Sequence, residues 1–170
     1  EIEFESVASD YEEDMTLELN PIELAMKLAK GKAESVAKNY NDAIIIGADT
    51  FIEFEGKIIG KPKNTDDAKR ILRSLSGKQH SVYTGICIID TGGEIALDVS
   101  QTKIYFRELG EAEIESYVKT GEPADKAGAY AIQGLGGLLV EKIEGDYYTI
   151  MGLPLSRVAQ YFRQNGIKYW

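Results

Sequence analysis

Asp49 has the residue type and the setting for chemistry. The five residues Ala43-Ile44-Ile45-Ile46-Gly47 form an unbroken apolar run that reads as a strand buried on both faces, and it stops at Ala48-Asp49-Thr50. Open α/β sheets bind ligands at the carboxyl ends of their strands, and Gly47 and Ala48 are small enough to admit one. An acidic turn residue or a helix cap has the same sequence appearance, so the position alone does not decide. An aspartate with a free pKa of about 3.9 is ionised at neutral pH and can accept a proton from water or ligate a hard cation. The sequence leaves both roles open.

Cationic residues are the second ingredient. Lys32 lies in Leu28-Ala29-Lys30-Gly31-Lys32-Ala33, and Lys61 precedes Pro62. Either can be a solvated surface charge, but lysines that converge on one cleft make good point-charge partners for phosphates. Asp125-Lys126-Ala127-Gly128-Ala129-Tyr130 sets opposite charges beside small residues and runs on to Gln133-Gly134. Its glycines permit unusual backbone angles and close packing on a ligand, while a local ion pair in a structural loop is the competing account. Gly134-Leu135-Gly136-Gly137 has neither the spacing nor the context of a phosphate loop or a dinucleotide fingerprint. His80, the one histidine, precedes an apolar stretch without the partners a triad or zinc site needs, and reads as structural. Cys87, the one cysteine, sits inside Gly85-Ile86-Cys87-Ile88-Ile89 and reads as a small core residue. A reducing cytoplasm is the compartment this usage fits.

The elements that must position these groups are legible in outline. Residues 2–8 alternate like a short strand and lead into the acidic loop Asp10-Tyr11-Glu12-Glu13-Asp14. Asn20-Pro21 starts a helix, and Ile22, Ala25, Met26, Ala29, Ala33 and Val36 carry it to about Lys38. Phe51–Phe54 and Lys57–Ile59 flank Glu55-Gly56 as a hairpin. Thr65-Asp66-Asp67 caps a second helix with Ala68, Ile71, Leu72 and Leu75 on its apolar face, ended by Ser76-Gly77. Strands are expected over 80–90, 94–106 and 138–143, and helices over 111–119 and 154–164. Hairpins mixed with helices predict a single α/β domain over residues 1–170.

Composition narrows the function classes. A net charge of −9 argues against binding a nucleic-acid polymer, which needs a basic stripe. It leaves room for a nucleotide held by a few lysines and a cation. No apolar run reaches the roughly 18 residues of a membrane span, and no signal-peptide pattern opens the chain.

Taken in order, these segments resemble the Maf family. The match runs through Leu28-Ala29-x-x-Lys32-Ala33, Gly47-Ala48-Asp49-Thr50, Gly60-Lys61-Pro62, Leu75-Ser76-Gly77-x-x-His80, Thr120-Gly121-Glu122-Pro123-x-Asp125-Lys126-Ala127-Gly128-Ala129-Tyr130, Ile132-Gln133-Gly134, Gly145-Asp146-Tyr147 and Gly152-Leu153-Pro154. Each piece is weak alone; their joint order covers nearly the whole chain. The resemblance implies the fold of inosine triphosphate pyrophosphatases, an elongated mixed sheet flanked by helices around a central cleft. It also implies hydrolysis of a nucleoside triphosphate between the α and β phosphates. Carried over by position, Asp49 is the proton acceptor, Lys32 and Lys61 contact phosphates, Asp125 and Lys126 are further substrate-binding residues, and Glu13 or its neighbour Glu12 helps hold a divalent metal, Mg²⁺ or Mn²⁺. Such a hard cation prefers carboxylate, water and phosphate oxygens, which Glu13, Asp49 and the substrate can supply.

Thr50 and Gln133 fall where the family sets base preference, and their combination resembles the dTTP/UTP branch. The same reaction on 7-methyl-GTP or an inosine-type nucleotide is the nearest alternative. A non-catalytic nucleotide-binding module in division arrest is the alternative of another class. The expected partner is the nucleotide, with no nucleic-acid polymer and no membrane, and a homodimer is compatible. Family members open with Ser-x-Ser-Pro-Arg-Arg, which this chain lacks; it is expected to start within a longer protein.

Overall fold

Asn20 begins the first helix by accepting a hydrogen bond from the Glu23 amide at 3.0 Å, while Glu23 reaches back to the Asn20 amide. With Pro21 at the first helical position, this capping box fixes the start of α1, Pro21–Ala37. The computed structural model describes residues 2–14 and 17–168. After α1 come β1 (Ile45–Phe54), β2 (Lys57–Ile59), α2 (Thr65–Leu75), β3 (Gln79–Ile89), β4 (Ile95–Phe106) and α3 (Glu111–Lys119). Three short 3₁₀ turns follow, at Glu122–Asp125, Ala127–Ala129 and Leu135–Leu139, and then β5 (Val140–Glu144), α4 (Tyr147–Ile150) and α5 (Leu155–Gln164). The strands form one open antiparallel sheet in the order β2-β1-β3-β4-β5, flanked by helices. This is the α/β class read from the sequence.

The chain divides into two compact units, one of Glu1–Thr50, Thr84–Ser100 and Gly152–Trp170, the other of Phe51–Tyr83 and Gln101–Met151. In the first, α1 lies very close to the sheet. Ala25, Ala29 and Ala33 repeat every four residues along one face of α1, and all three are buried. They meet glycines: a Cβ on Gly47 of β1 would stand 2.7 Å from the Ala29 carbonyl oxygen and 2.8 Å from the Ala33 Cβ, and one on Gly85 of β3 would strike the Ala25 carbonyl. Cys87 and Ile89 complete this small core, so the cysteine is the packing residue expected.

The second unit holds the larger core. Ile71, Leu72 and Leu75 of α2 pack with Ile114 and Val118 of α3 against Ile52, Phe54, Val82, Ile104 and Phe106 from the strands. Full burial of each such side chain contributes about 1.5–3 kcal/mol. The β1–β2 hairpin turns at Glu55 and Gly56, both with positive φ (51° and 77°), and pairs Ile52 with Ile59. β4 and β5 pair Ile104 with Ile143, with an irregularity at Tyr105/Phe106.

Five details differ from the sequence reading. The apolar run 43–47 does not end a strand, because β1 continues through Ala48, Asp49 and Thr50 to Phe54. Residues 2–8 alternate in polarity, yet they pair with no strand among the described residues; Phe4 is 88% exposed, so nothing stabilises an extended ladder there. The cap of α2 is Asn64, which accepts from the Asp67 amide at 2.9 Å, and Thr65 is already helical. Leu138 and Leu139 belong to a 3₁₀ turn, and the short helix α4, capped by Asp146, was not foreseen. No helix among the described residues is long and apolar enough to cross a membrane.

Candidate active site

The packing of α1 on β1 explains how Asp49 acquires a partner. Side chains two apart on a strand share a face, so Asp49 lies on the side of β1 where Gly47 receives Ala29 and Ala33. Lys32, next to Ala33, then projects along the strand. Its Nζ donates to Asp49 Oδ1 at 2.6 Å. The Asp49 side chain is only 6% exposed.

The acidic segment is brought in by a different device. The Tyr11 ring lies flat on Gly31, where a Cβ would collide with it. Ser9 Oγ is 3.0 Å from Ser35 Oγ, and the Tyr11 amide donates to Ser9 Oγ at 3.1 Å. Gly31 and Ser35 are four apart on α1, with Lys32 beside them, so this docking carries Glu13 Oε1 to 2.7 Å from Lys32 Nζ. Glu13, rather than the exposed Glu12, closes the cluster. One ammonium therefore bridges two carboxylates.

The charges respond to this arrangement in opposite ways. Burial raises the Asp49 pKa above the usual carboxylate range; hydrogen bonds from Lys32 and from the Thr50 amide only partly offset it, and Glu13 adds repulsion. Burial alone would lower Lys32, but hydrogen bonds to Asp49 and Glu13 prevail and hold it above the ordinary lysine range. Lys32 stays charged, and Asp49 becomes a stronger base than a surface aspartate. Thr50 Oγ1 lies 2.8 Å from Thr84 Oγ1, and Thr84 is fully buried.

The other predicted residues lie in the second unit. The Gly60 carbonyl accepts the Gly128 amide at 3.1 Å, which ties the segment before Lys61 to the Asp125–Tyr130 loop. Lys126 pairs with Asp125 at 2.9 Å; this bond, with the nearby charge of Lys61, holds Asp125 below the usual range. Lys61, Asp125 and Lys126 are thus neighbours. Gln133 is exposed in a turn.

A family model described as Maf-like protein matches residues 1–165. The chain belongs to the Maf family. This Maf chain is 48% identical over 167 residues to a dTTP/UTP pyrophosphatase of Dictyoglomus thermophilum, spanning 97% of this chain and 86% of the relative. It is 47% identical over 169 residues to a protein of that name in Clostridium novyi, spanning 97% and 88%. It is 45% identical over 163 residues to one in Bacillus cereus, spanning 96% and 85%.

One local reading of the Maf chain needs qualifying, and for the Gly134 segment the contacts favour the structural-loop account. The smallness of Gly47 makes room for α1, since Ala29 and Ala33 fill the side on which its Cβ would stand, while Gly47 and Ala48 also line the cavity beside Lys32 and Glu13. The glycines at 134 and 136 serve a carboxylate clamp: Glu122 accepts from the Leu135 and Gly136 amides, both at 2.9 Å, and from the Tyr117 hydroxyl at 2.8 Å. A side chain at Gly134 would collide with Glu122. Residues the sequence did not single out include Ser9, Tyr11, Gly31 and Ser35, which dock the acidic segment, and Thr84, which holds Thr50. A glycine set in the helix beside Lys32 was the one visible hint. His80 is structural, as expected: it is 2% exposed, with Nε2 2.8 Å from the Tyr130 hydroxyl and edge-on rings at Phe106 and Tyr130.

Proposed function

We propose that this chain hydrolyses nucleoside triphosphates, dTTP and UTP foremost, adding water across the α–β anhydride to release the monophosphate and pyrophosphate. The observation that carries the reading is the cluster in which Lys32 joins the buried Asp49 to Glu13. The names of relatives at 45–48% identity supply the substrate class.

A divalent cation suits this donor set. Two carboxylates already converge on one positive charge. No group of three or more His, Cys, Asp or Glu that could hold a metal occurs among the described residues. A hard cation of this kind is commonly bound by one or two carboxylates, with waters and substrate phosphates completing its shell. Glu13 and Asp49 would hold it, and its charge would neutralise phosphate oxygens as they develop negative charge.

The chain's own residues do the rest. Asp49, its pKa raised by burial, accepts the proton of the attacking water on its carboxylate. The water oxygen becomes bonded to phosphorus as the bridging bond breaks, and pyrophosphate departs with that bond's electron pair. Lys32 supplies positive charge to the phosphates, and the Thr50 hydroxyl, fixed by Thr84, reads the base; Lys61, Lys126 and Gln133, which belong to the second unit, are assigned to phosphate and base by the family resemblance. Gln133 starts exposed, so it contributes to discrimination only once a base covers it and makes an unmatched polar group costly.

The test is pyrophosphate release with Mg²⁺ across dTTP, UTP, ATP, GTP and 7-methyl-GTP. The pyrimidine triphosphates are expected well ahead, and turnover is expected to vanish in excess chelator. Equal rates across the five would remove the base assignment. Full activity in chelator would remove the cation.

A further inference from the structure

Lys32 Nζ sits where a cation shared by Glu13 and Asp49 would sit, 2.7 Å from one carboxylate and 2.6 Å from the other. We propose that Lys32 is a resident counter-ion: it holds the two carboxylates together in the empty protein, gives up its place to a divalent cation, and carries its released charge to the triphosphate. The inference rests on the function proposed above and adds an exchange to it.

Charge bookkeeping favours exchange over addition. Two carboxylates and one ammonium leave a net single negative charge beside a side chain that is only 6% exposed. A divalent cation added next to the ammonium would set like charges within a few ångströms, where repulsion is strong. Replacing the ammonium leaves the pair neutral and satisfies the cation's demand for oxygen ligands. Mobility also favours it. Lysine carries a compact charge on a flexible stem with freely turning donors. The Lys32 side chain is 26% exposed and that of Glu13 41%, so the ammonium has a way out. Asp49, nearly closed off, stays put. Lys32 and Glu13 also line a cavity of about 810 Å³, so both groups are reachable from outside.

The alternative is that Lys32 is only a clamp for the two carboxylates. The two accounts predict opposite signs. Under exchange, Lys32 competes with the metal and assists the phosphate, so its removal tightens one affinity and weakens the other. As a clamp, its removal lets Glu13 swing away, and both affinities fall.

The experiment measures Mn²⁺ binding to the nucleotide-free full-length protein by calorimetry, for the wild type, Lys32→Gln and Lys32→Met. Lys30→Gln is the charge-matched control: it lies on the same helix and pairs only loosely with Glu34, at 3.6 Å. Lys32→Gln and Lys32→Met are expected to bind Mn²⁺ about tenfold or more tightly than wild type, and the control within about twofold, because a remote exposed charge is screened. The affinity for the α,β-imido analogue of dTTP with Mn²⁺ is expected to fall in both Lys32 variants.

Thermal melting establishes that each variant is folded. Should the Lys32 variants fail to fold, the wild type decides alone: the Lys32 side-chain ammonium resonance is expected to shift on saturation with Mg²⁺. Metal affinity that falls or stays constant in folded Lys32 variants overturns the exchange, as does an unmoved Lys32 resonance or a lack of Mn²⁺ binding in every form. Absence of pyrophosphate release by the wild type from any triphosphate would instead overturn the proposed function, and it leaves the sign of the metal effect readable.

Discussion

An aspartate inside a β-strand, below the surface and with a raised pKa, is costly to keep ionised, and Lys32 is what makes it tolerable. That cost is the physical basis for testing Asp49 first. Asn in its place keeps the size and can still accept from Lys32 and the Thr50 amide, but it cannot take a proton from water. Asp49→Asn is expected to lower kcat by about 10²–10⁴-fold, the usual contribution of a positioned general base. Nucleotide affinity and the melting temperature should change little. A near-normal kcat would remove Asp49 from the chemistry, and a collapsed melting transition would make it structural. The type and register of Asp49, Lys32 and Lys61 were legible in the sequence. That Lys32 and Asp49 meet was not. Lys32 and Asp49 are separated by a helix end and a loop, and only the packing of α1 decides that they meet. Choosing Glu13 over Glu12 likewise depends on Tyr11 lying on Gly31, a contact without periodicity to betray it.

Helices with one apolar stripe were the easiest elements to read, because α2 and α5 alternate apolar and charged residues with the helical period. β1 was harder. An acidic residue usually ends an apolar strand, and here the strand passes through it because a lysine on the neighbouring helix neutralises the charge. α1 is therefore the element on which the site depends, and its distance from the sheet is set by glycines. Gly85→Ala would drive a methyl group into the Ala25 carbonyl, backbone that cannot rotate away. Such overpacking costs about 1–3 kcal/mol, and the helix must shift to accommodate it. The expectation is a lower melting temperature together with a fall in kcat, since Lys32 moves relative to Asp49. Gly110→Ala, where an added Cβ meets nothing within 4 Å, should leave kcat unchanged. If Gly85→Ala melted and turned over like wild type, close helix–sheet approach would not be what places Lys32.

At the scale of the whole molecule, the net charge of −9 was the most direct message of the composition, and it is compatible with a polyanionic substrate only where cations gather locally. The division into two units was not legible, because β1, β3 and β4 each contribute residues to both and no change in composition marks the boundary. The second unit contains the one histidine, and global stability should report it. His80 lies among Phe106 and Tyr130, its Nδ1 has no hydrogen-bond partner among the described residues, and burial pushes its pKa down to about 4 from an ordinary 6.5. The folded protein thus keeps the ring neutral in a range where the unfolded chain protonates it. The unfolded state binds more protons there, so stability rises with pH across the window and is lost as pH falls from about 6.5 towards 4. A shift of that size corresponds to about 3 kcal/mol by pH 4, complete once both states are protonated. Carboxylates with depressed pKa values, such as Asp67 and Glu111, also lose stability on acidification, but below their ordinary range and on the exposed surface. The comparison that isolates His80 is denaturant unfolding of the wild type and His80→Gln at pH 7, 6, 5 and 4. Glutamine can still bond the Tyr130 hydroxyl but does not titrate. The variant should start less stable at pH 7 because packing against Phe106 is lost, and the gap should narrow steadily down to pH 4. A gap that stays constant with pH would mean that His80 carries its proton equally well in both states, and that its burial imposes no penalty on the charged ring.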